Sequence, residues 1–170
     1  MTLGGTDPSL KSILLSSHYD VVPVSEEFWE SDPFEAAVRP NGDIVARGSQ
    51  DMKCVGMAYL EAIRRLKLAH KESSFKRSIH LLFTPDEEIG SANGAAQMIK
   101  TQQLADLNIG SCYDEGVPSP TNNFYVFNTE RVTLSIKLTA NGVAGHGSSL
   151  PQGTAVEKLV KLIYIYCMYF

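Results

Sequence analysis

Cysteine is scarce in this chain: three residues in 170, Cys54, Cys112 and Cys167. They are odd in number, far apart and never in a C-x-x-C arrangement. That excludes a disulfide framework and a cysteine-built zinc knuckle, and it points to a reducing cytoplasm. Positive charge is also short, with 15 Lys and Arg against 19 Asp and Glu and a net charge of −4. No basic patch carries interleaved aromatics, so a nucleic-acid partner is excluded. The small basic run of Arg64, Arg65, Lys67, His70 and Lys71 reads as the solvated tail of a helix. No N-x-[ST] sequon occurs, and the first residues lack the basic start and apolar core of a signal peptide. The uncharged stretch Leu162 to Phe170 is far shorter than the roughly 20 residues of a membrane span. It reads as the apolar end of a helix, and no membrane association is expected. What remains is an ordinary globular composition, 44% apolar and 20% charged, in a chain long enough to bury a core.

Two short, largely apolar runs, Ser12 to Ser17 and Ser78 to Thr84, read as strands buried inside a parallel sheet. Between them Asp51 opens a helix expected to run to about Ala69. Val55, Ala58, Tyr59, Ala62, Ile63 and Leu66 recur on it at helical spacing as one buried stripe. Asn93 to Gln103 reads as a second helix and Asn108 to Tyr113 as a third strand. The alternation of strand and helix predicts an α/β fold: a mostly parallel sheet flanked by helices. The texture then changes. Asn123 to Asn128 and Arg131 to Thr139 read as consecutive strands, the second with Val132, Leu134, Ile136 and Leu138 inward. A Gly-rich loop and a helix from about Thr154 follow. The expected division is a domain over residues 1–129 and the start of an α+β domain over 130–170, with the switch near Glu130.

Acids and histidines stand where these segments end. His18-Tyr19-Asp20 follows the first strand, and period two would put His18 and Asp20 on one face, where Asp20 accepts the spare imidazole N–H. H-x-D is short and common, and a surface turn explains it alone. Asp51 at a helix start is either a cap or an exposed carboxylate able to bridge two cations. Asp86-Glu87-Glu88 follows the second strand. Three adjacent acids repel one another unless a cation is present, and neighbouring side chains diverge, so one Glu could bind metal while the other acts as a base. A solvated acidic loop fits equally. Asp114-Glu115-Gly116 follows the third strand and could add a carboxylate or simply form a turn. His146 lies among small residues in Gly142 to Ser149, which leave room for a ligand. His80, mid-strand, and His70, on a helix tail, are assigned to structure. Acids and a histidine at successive strand ends meet where α/β sheets bind ligands, and together they suit a divalent zinc centre.

Several segments carry a resemblance: His18-Tyr-Asp-Val-Val-Pro23, Trp29 with Asp32-Pro-Phe-Glu35, and Ala46-Arg-Gly-Ser-Gln-Asp-Met-Lys-Cys-Val55. Pro85-Asp-Glu-Glu-Ile-Gly90, Asp114-Glu-Gly116 and Gly145-His146 follow in order. The chain resembles the M20 family of di-zinc amidohydrolases and peptidases up to about Lys161. Cys54, where most of the family has Gly, places the resemblance with the members that deacylate N-acyl-L-amino acids. The resemblance implies that His18, Asp51 and Glu115 hold one zinc, with Asp51 bridging to a second held by Glu88. It implies Glu87 as general base, Asp20 as the residue orienting His18, and His146 as the oxyanion stabiliser, acting across a homodimer. Asp114 would be a neighbour of the ligands. It further implies a small N-acyl amino acid as substrate. The family has material before Met1 and after Phe170, including a final histidine for the second zinc, so the isolated chain is expected to turn over weakly or not at all. The competing expectations are a non-catalytic product that associates with full-length subunits, and a dipeptidase of the same family.

Overall fold

A computed structural model describes residues 1–69, 75–127, 129 and 135–169. Two compact units divide between Val126 and Phe127. The expected switch at Glu130 lies outside the described residues.

In the first unit, Thr2–Leu3 (β1), Ser12–His18 (β2), Ile79–Thr84 (β5) and Ile109–Tyr113 (β6) form one sheet in the order β1-β5-β2-β6. A separate two-stranded ribbon joins Ala37–Val38 (β3) to Ile44–Val45 (β4). β2 runs parallel to both of its neighbours. A parallel strand flanked on both edges is covered on both faces, which is why Ser-Ile-Leu-Leu-Ser-Ser-His lacks polar alternation. The expected α/β class and mostly parallel sheet are therefore borne out. β1 was not foreseen: it caps the sheet antiparallel to β5, and Leu81 exchanges main-chain bonds of 2.9 Å each way with Met1. The β3–β4 ribbon was missed too, although Asn41-Gly42 is a strong hairpin signal and Gly42 sits at φ 91°.

The core is small. Ile63 from the helix Cys54–Ala69 (α1) packs on Ile79 and Leu81 of β5, with Leu3, Leu15, Tyr59, Leu60 and Phe75 around them. Each such aliphatic side chain stabilises the fold by roughly 1.5–3 kcal/mol. The buried face of α1 differs from the predicted stripe, since Ala58, Ala62 and Leu66 are exposed while Gly56 is buried. A Cβ at Gly56 would stand 2.9 Å from the Phe83 ring and 3.0 Å from Ser17 Oγ. This close approach to β2 and β5 fixes which face turns inward. On the outer face, Glu61 binds Arg64 and Arg65, as expected of a solvated surface. His70 and Lys71 lie outside the described residues.

The predicted helix Asn93–Gln103 is instead two short ones, Ala95–Met98 (α2) and Gln102–Asp106 (α3). Thr101 breaks it: its backbone is extended and its hydroxyl accepts the Leu104 N–H, so it caps the second helix. The predicted strands over Asn123–Asn128 and Arg131–Thr139 are corrected as well. Their described residues, 123–127 and 135–139, carry no strand, and Ile136 and Leu138 are exposed rather than inward. A ladder needs a neighbouring strand, and none of the described residues pairs with these segments. Asn128 and 131–134 lie outside the described residues.

In the second unit, a turn at Gly147–Ser149 precedes the helix Ala155–Tyr169 (α4). Thr154 and Glu157 start it as a variant capping box, the hydroxyl accepting from Glu157 N–H and the Glu157 carboxylate from Gly153 N–H. Among the described residues no helix is long and apolar enough to cross a membrane.

Candidate metal centre

Three adjacent parallel strands deliver the site. β2 ends at His18, β5 ends three residues before Glu87, and β6 ends two residues before Glu115. Carboxyl ends of neighbouring parallel strands form the crevice in which open α/β sheets bind ligands. The His18 side chain is buried, at 1% exposure, and its Nε2 points to Asp51 Oδ1 at 3.1 Å, Glu115 Oε2 at 3.5 Å and Glu87 Oε2 at 3.8 Å. Among the described residues, His18, Asp51 and Glu115 offer ligand atoms that all lie within 4.8 Å of one another.

The other imidazole nitrogen fixes the chemistry. His18 Nδ1 lies 3.0 Å from the main-chain carbonyl of Asp20. A carbonyl only accepts, so Nδ1 carries the proton and Nε2 of a neutral ring presents a lone pair. That lone pair is buried, makes no hydrogen bond and faces three carboxylates. Acceptor against acceptors is unfavourable unless a cation lies between them, whether a proton or a metal ion. One imidazole with carboxylates is a donor set that zinc accepts. The residues present therefore fit a divalent ion.

The titration behaviour agrees. Burial disfavours the imidazolium, yet the Asp20 carbonyl and the charges of Glu87, Glu115 and Asp20 hold the His18 pKa above its ordinary 6.5. Glu115 is pushed up by burial and by the Asp51 carboxylate beside it. Glu87 is pushed up by burial, with His18 opposing and Glu88, Asp20 and Asp51 adding to the rise.

Asp20 acts differently from expectation. It holds His18 through its main-chain carbonyl, with its carboxylate further from Nδ1 at 3.4 Å. The carboxylate instead accepts the N–H groups of Glu87 at 3.1 Å and Glu88 at 3.0 Å. One residue thus ties the strand end bearing the imidazole to the turn bearing the acids.

Asp51 is not a helix cap. It sits in a wide turn, Ser49–Lys53, with extended backbone (φ −110°, ψ 103°) and a cis peptide to Met52, and α1 begins only at Cys54. Met52, 1% exposed, anchors the turn in the interior and leaves Asp51 facing out. Asp114 supports its neighbour, its carboxylate accepting the Glu115 N–H at 2.9 Å. Glu88 is not part of the three-residue cluster; its contact here is the main-chain bond to Asp20. His146 belongs to the second unit, where it is exposed, caps the Gly147–Ser149 turn and pairs with Ser148 Oγ at 2.8 Å. His80 is structural as expected, buried with Nδ1 2.9 Å from Thr2 Oγ1.

Two supporting residues were missed. Asp86 is buried and laces the loop after β5, accepting Asn93 N–H on its carboxylate and Ser91 N–H on its carbonyl, each at 2.7 Å. The small residues Ser91 to Gly94 were the available signal, since a side chain at Gly94 would collide with that carboxylate. The second is Lys53, whose Nζ donates to the Tyr19 carbonyl at 2.8 Å. Beside Asp51 and Glu115 opens a cavity of about 1130 Å³, walled also by Arg47, Val117, Phe124 and Tyr125. It is large enough for a small organic substrate.

Residues 14–160 match the model of peptidase family M20/M25/M40. The chain belongs to that family. It is 48% identical to aminoacylase-1 of Dictyostelium discoideum over 164 residues and 47% identical to aminoacylase-1 of Homo sapiens, covering 96% of the chain in each case. A more distant relative is the mouse N-fatty-acyl-amino acid synthase/hydrolase, 34% identical over 163 residues, which cover 91% of the chain and 32% of that protein. The chain spans 40% of the length of the two aminoacylases.

Proposed function

We propose that this chain carries the metal centre of an amidohydrolase that cleaves N-acyl-L-amino acids to a carboxylate and a free L-amino acid. The observation that carries this reading is the buried His18 Nε2, without a hydrogen bond and ringed by Asp51, Glu115 and Glu87. The identity to two aminoacylases supports the substrate class. His18, Asp51 and Glu115 would hold one zinc ion, and Asp51 would share a second with Glu88. Zinc bound there would supply Lewis acidity and would lower the pKa of a water to about 7.

The remaining roles belong to the chain. Glu87 takes the proton of the attacking water and passes it to the departing amine. Its raised pKa, caused first by burial, suits it to both halves of that transfer. Asp20 holds the Glu87 main chain and the His18 ring in one frame, so base and ligand keep their separation. His146, contributed by the second unit in a homodimer, would donate to the oxyanion as the amide carbonyl becomes tetrahedral. The free, exposed cysteines fit a reducing cytoplasm.

The test is release of methionine from N-acetyl-L-methionine by the zinc-loaded chain, where turnover, even if far below that of a full-length relative, should depend on zinc and on Glu87. Glu87→Gln should lower the rate by about 10²–10⁴ while zinc still binds. Hydrolysis that is indifferent to Glu87, or to chelation, refutes the assignment.

A further inference from the structure

Lys53 has a place at the metal centre that the roles above do not use. Tyr19 lies between His18 and Asp20, and its main chain is held from two sides. Its N–H donates to Thr84 O at the end of β5 at 3.0 Å, and its carbonyl accepts Lys53 Nζ at 2.8 Å. Lys53 is itself fixed by a main-chain bond from its N–H to Gly48 O at 3.0 Å. Gly48 has φ 82°, and a Cβ there would come within 2.9 Å of the Lys53 ammonium and collide with Val21. Only a glycine both permits the turn and leaves the ammonium its path.

The consequence is geometric. Asp51, two residues before Lys53, lies in the turn before α1, whereas His18 ends β2. The Lys53–Tyr19 bond is a direct side-chain tie between them. Holding the Tyr19 carbonyl fixes the plane of the Tyr19–Asp20 peptide, one residue before the carbonyl that accepts His18 Nδ1–H.

We propose that Lys53 is a positioning residue that sets the separation of His18 and Asp51 and so the affinity of the centre for its metal ion. The proposal rests on the metal reading of that site.

The test uses the whole chain, with zinc affinity measured by competition against a chromogenic chelator and melting of the metal-free protein followed by circular dichroism. Lys53→Met keeps the length of the side chain and removes the donor, and should weaken zinc ten- to hundredfold, as loss of a group orienting a ligand does. The metal-free melting temperature should move by no more than about 2 °C, as for an exposed site. Lys53→Arg keeps a cationic donor within reach of the carbonyl and should bind zinc within about threefold of the parent. The visible spectrum of the cobalt-loaded Met variant should shift, reporting an altered ligand geometry. A Met variant that binds zinc as the parent does overturns the proposal, and so does loss of the metal-free fold in both variants. If His18→Ala leaves the parent zinc affinity unchanged, the metal reading itself fails and the Lys53 role falls with it.

Discussion

Replacing His18 by Ala tests the centre most directly, because its effect is worked from opposing terms. A ligand that binds only the folded chain stabilises it by RT ln(1 + [L]/Kd), about 2.7 kcal/mol when free zinc is a hundredfold above Kd. For a chain of 150–250 residues each kcal/mol moves Tm by about 2–4 °C, so zinc should raise the parent Tm by about 5–11 °C over the chelated protein. Without the imidazole the clustered ligands are reduced to Asp51 and Glu115, both well exposed. The zinc-induced shift should then fall below about 2 °C.

The variant should also melt lower in chelator. It leaves a cavity where a side chain 1% exposed had packed, and it removes a cationic partner that Asp51, Glu115 and Glu87 share when His18 is protonated. The readout is therefore the difference between zinc and chelator for each protein, not the absolute Tm. Glu115→Gln, which keeps shape and removes charge, should give an intermediate shift. A His18→Ala protein that gains as much from zinc as the parent would show that the ion binds elsewhere, and the site assignment would be wrong.

Two further outcomes follow from the same geometry. In the absence of metal, folded His18 keeps a proton that the unfolded chain releases near pH 6.5, so stability should fall as pH rises through 6.5 and beyond. His80, whose pKa burial lowers from 6.5, acts only below that value; a denaturation midpoint at pH 8 equal to or above that at pH 6.5, measured in chelator, contradicts the His18 environment. Ile63→Ala empties the contact with Ile79 and Leu81 and should cost about 2–5 kcal/mol, read as a lower urea midpoint at unchanged slope, whereas a loss under 1 kcal/mol would place the core elsewhere.

The sheet was legible because its strands are buried on both faces and carry an unbroken apolar signature; Ser12 to His18 shows this best. α1 was legible in extent, but its buried face was not. That face is set by Gly56 approaching Ser17 and Phe83, a contact between segments that no single periodicity encodes. Residues 131–139 alternate as strands do, yet alternation is a preference that needs a partner strand, and none of the described residues pairs with 135–139. At the site, strand ends marked the segments that carry His18, Glu87 and Glu115, but not which acid of each adjacent pair turns toward the imidazole. Asp51 stands just before α1 but in a wide turn and not at the helix start, a difference the sequence hides because both share the same signature. The main-chain role of Asp20 and the reach of Lys53 were invisible, because both depend on which carbonyl faces which side chain.

The groups of the candidate centre share one titration signature. His18, Glu87 and Glu115 all have pKa values displaced upward, although for the acids burial leads while for the imidazole burial opposes. The common direction means that each group holds its proton to higher pH than its free form, the acids chiefly because they are buried and the imidazole because of the Asp20 carbonyl and the carboxylates around it. A metal ion entering among the same atoms must displace those protons, so its affinity rises with pH while the stability of the empty protein falls. The two pH dependences have opposite signs and one origin. A structural ion pair between His18 and a single acid would give the falling curve in chelator, but not a zinc-induced stabilisation that grows over the same range. Measuring both curves on one sample therefore separates a binding centre from a buried salt bridge.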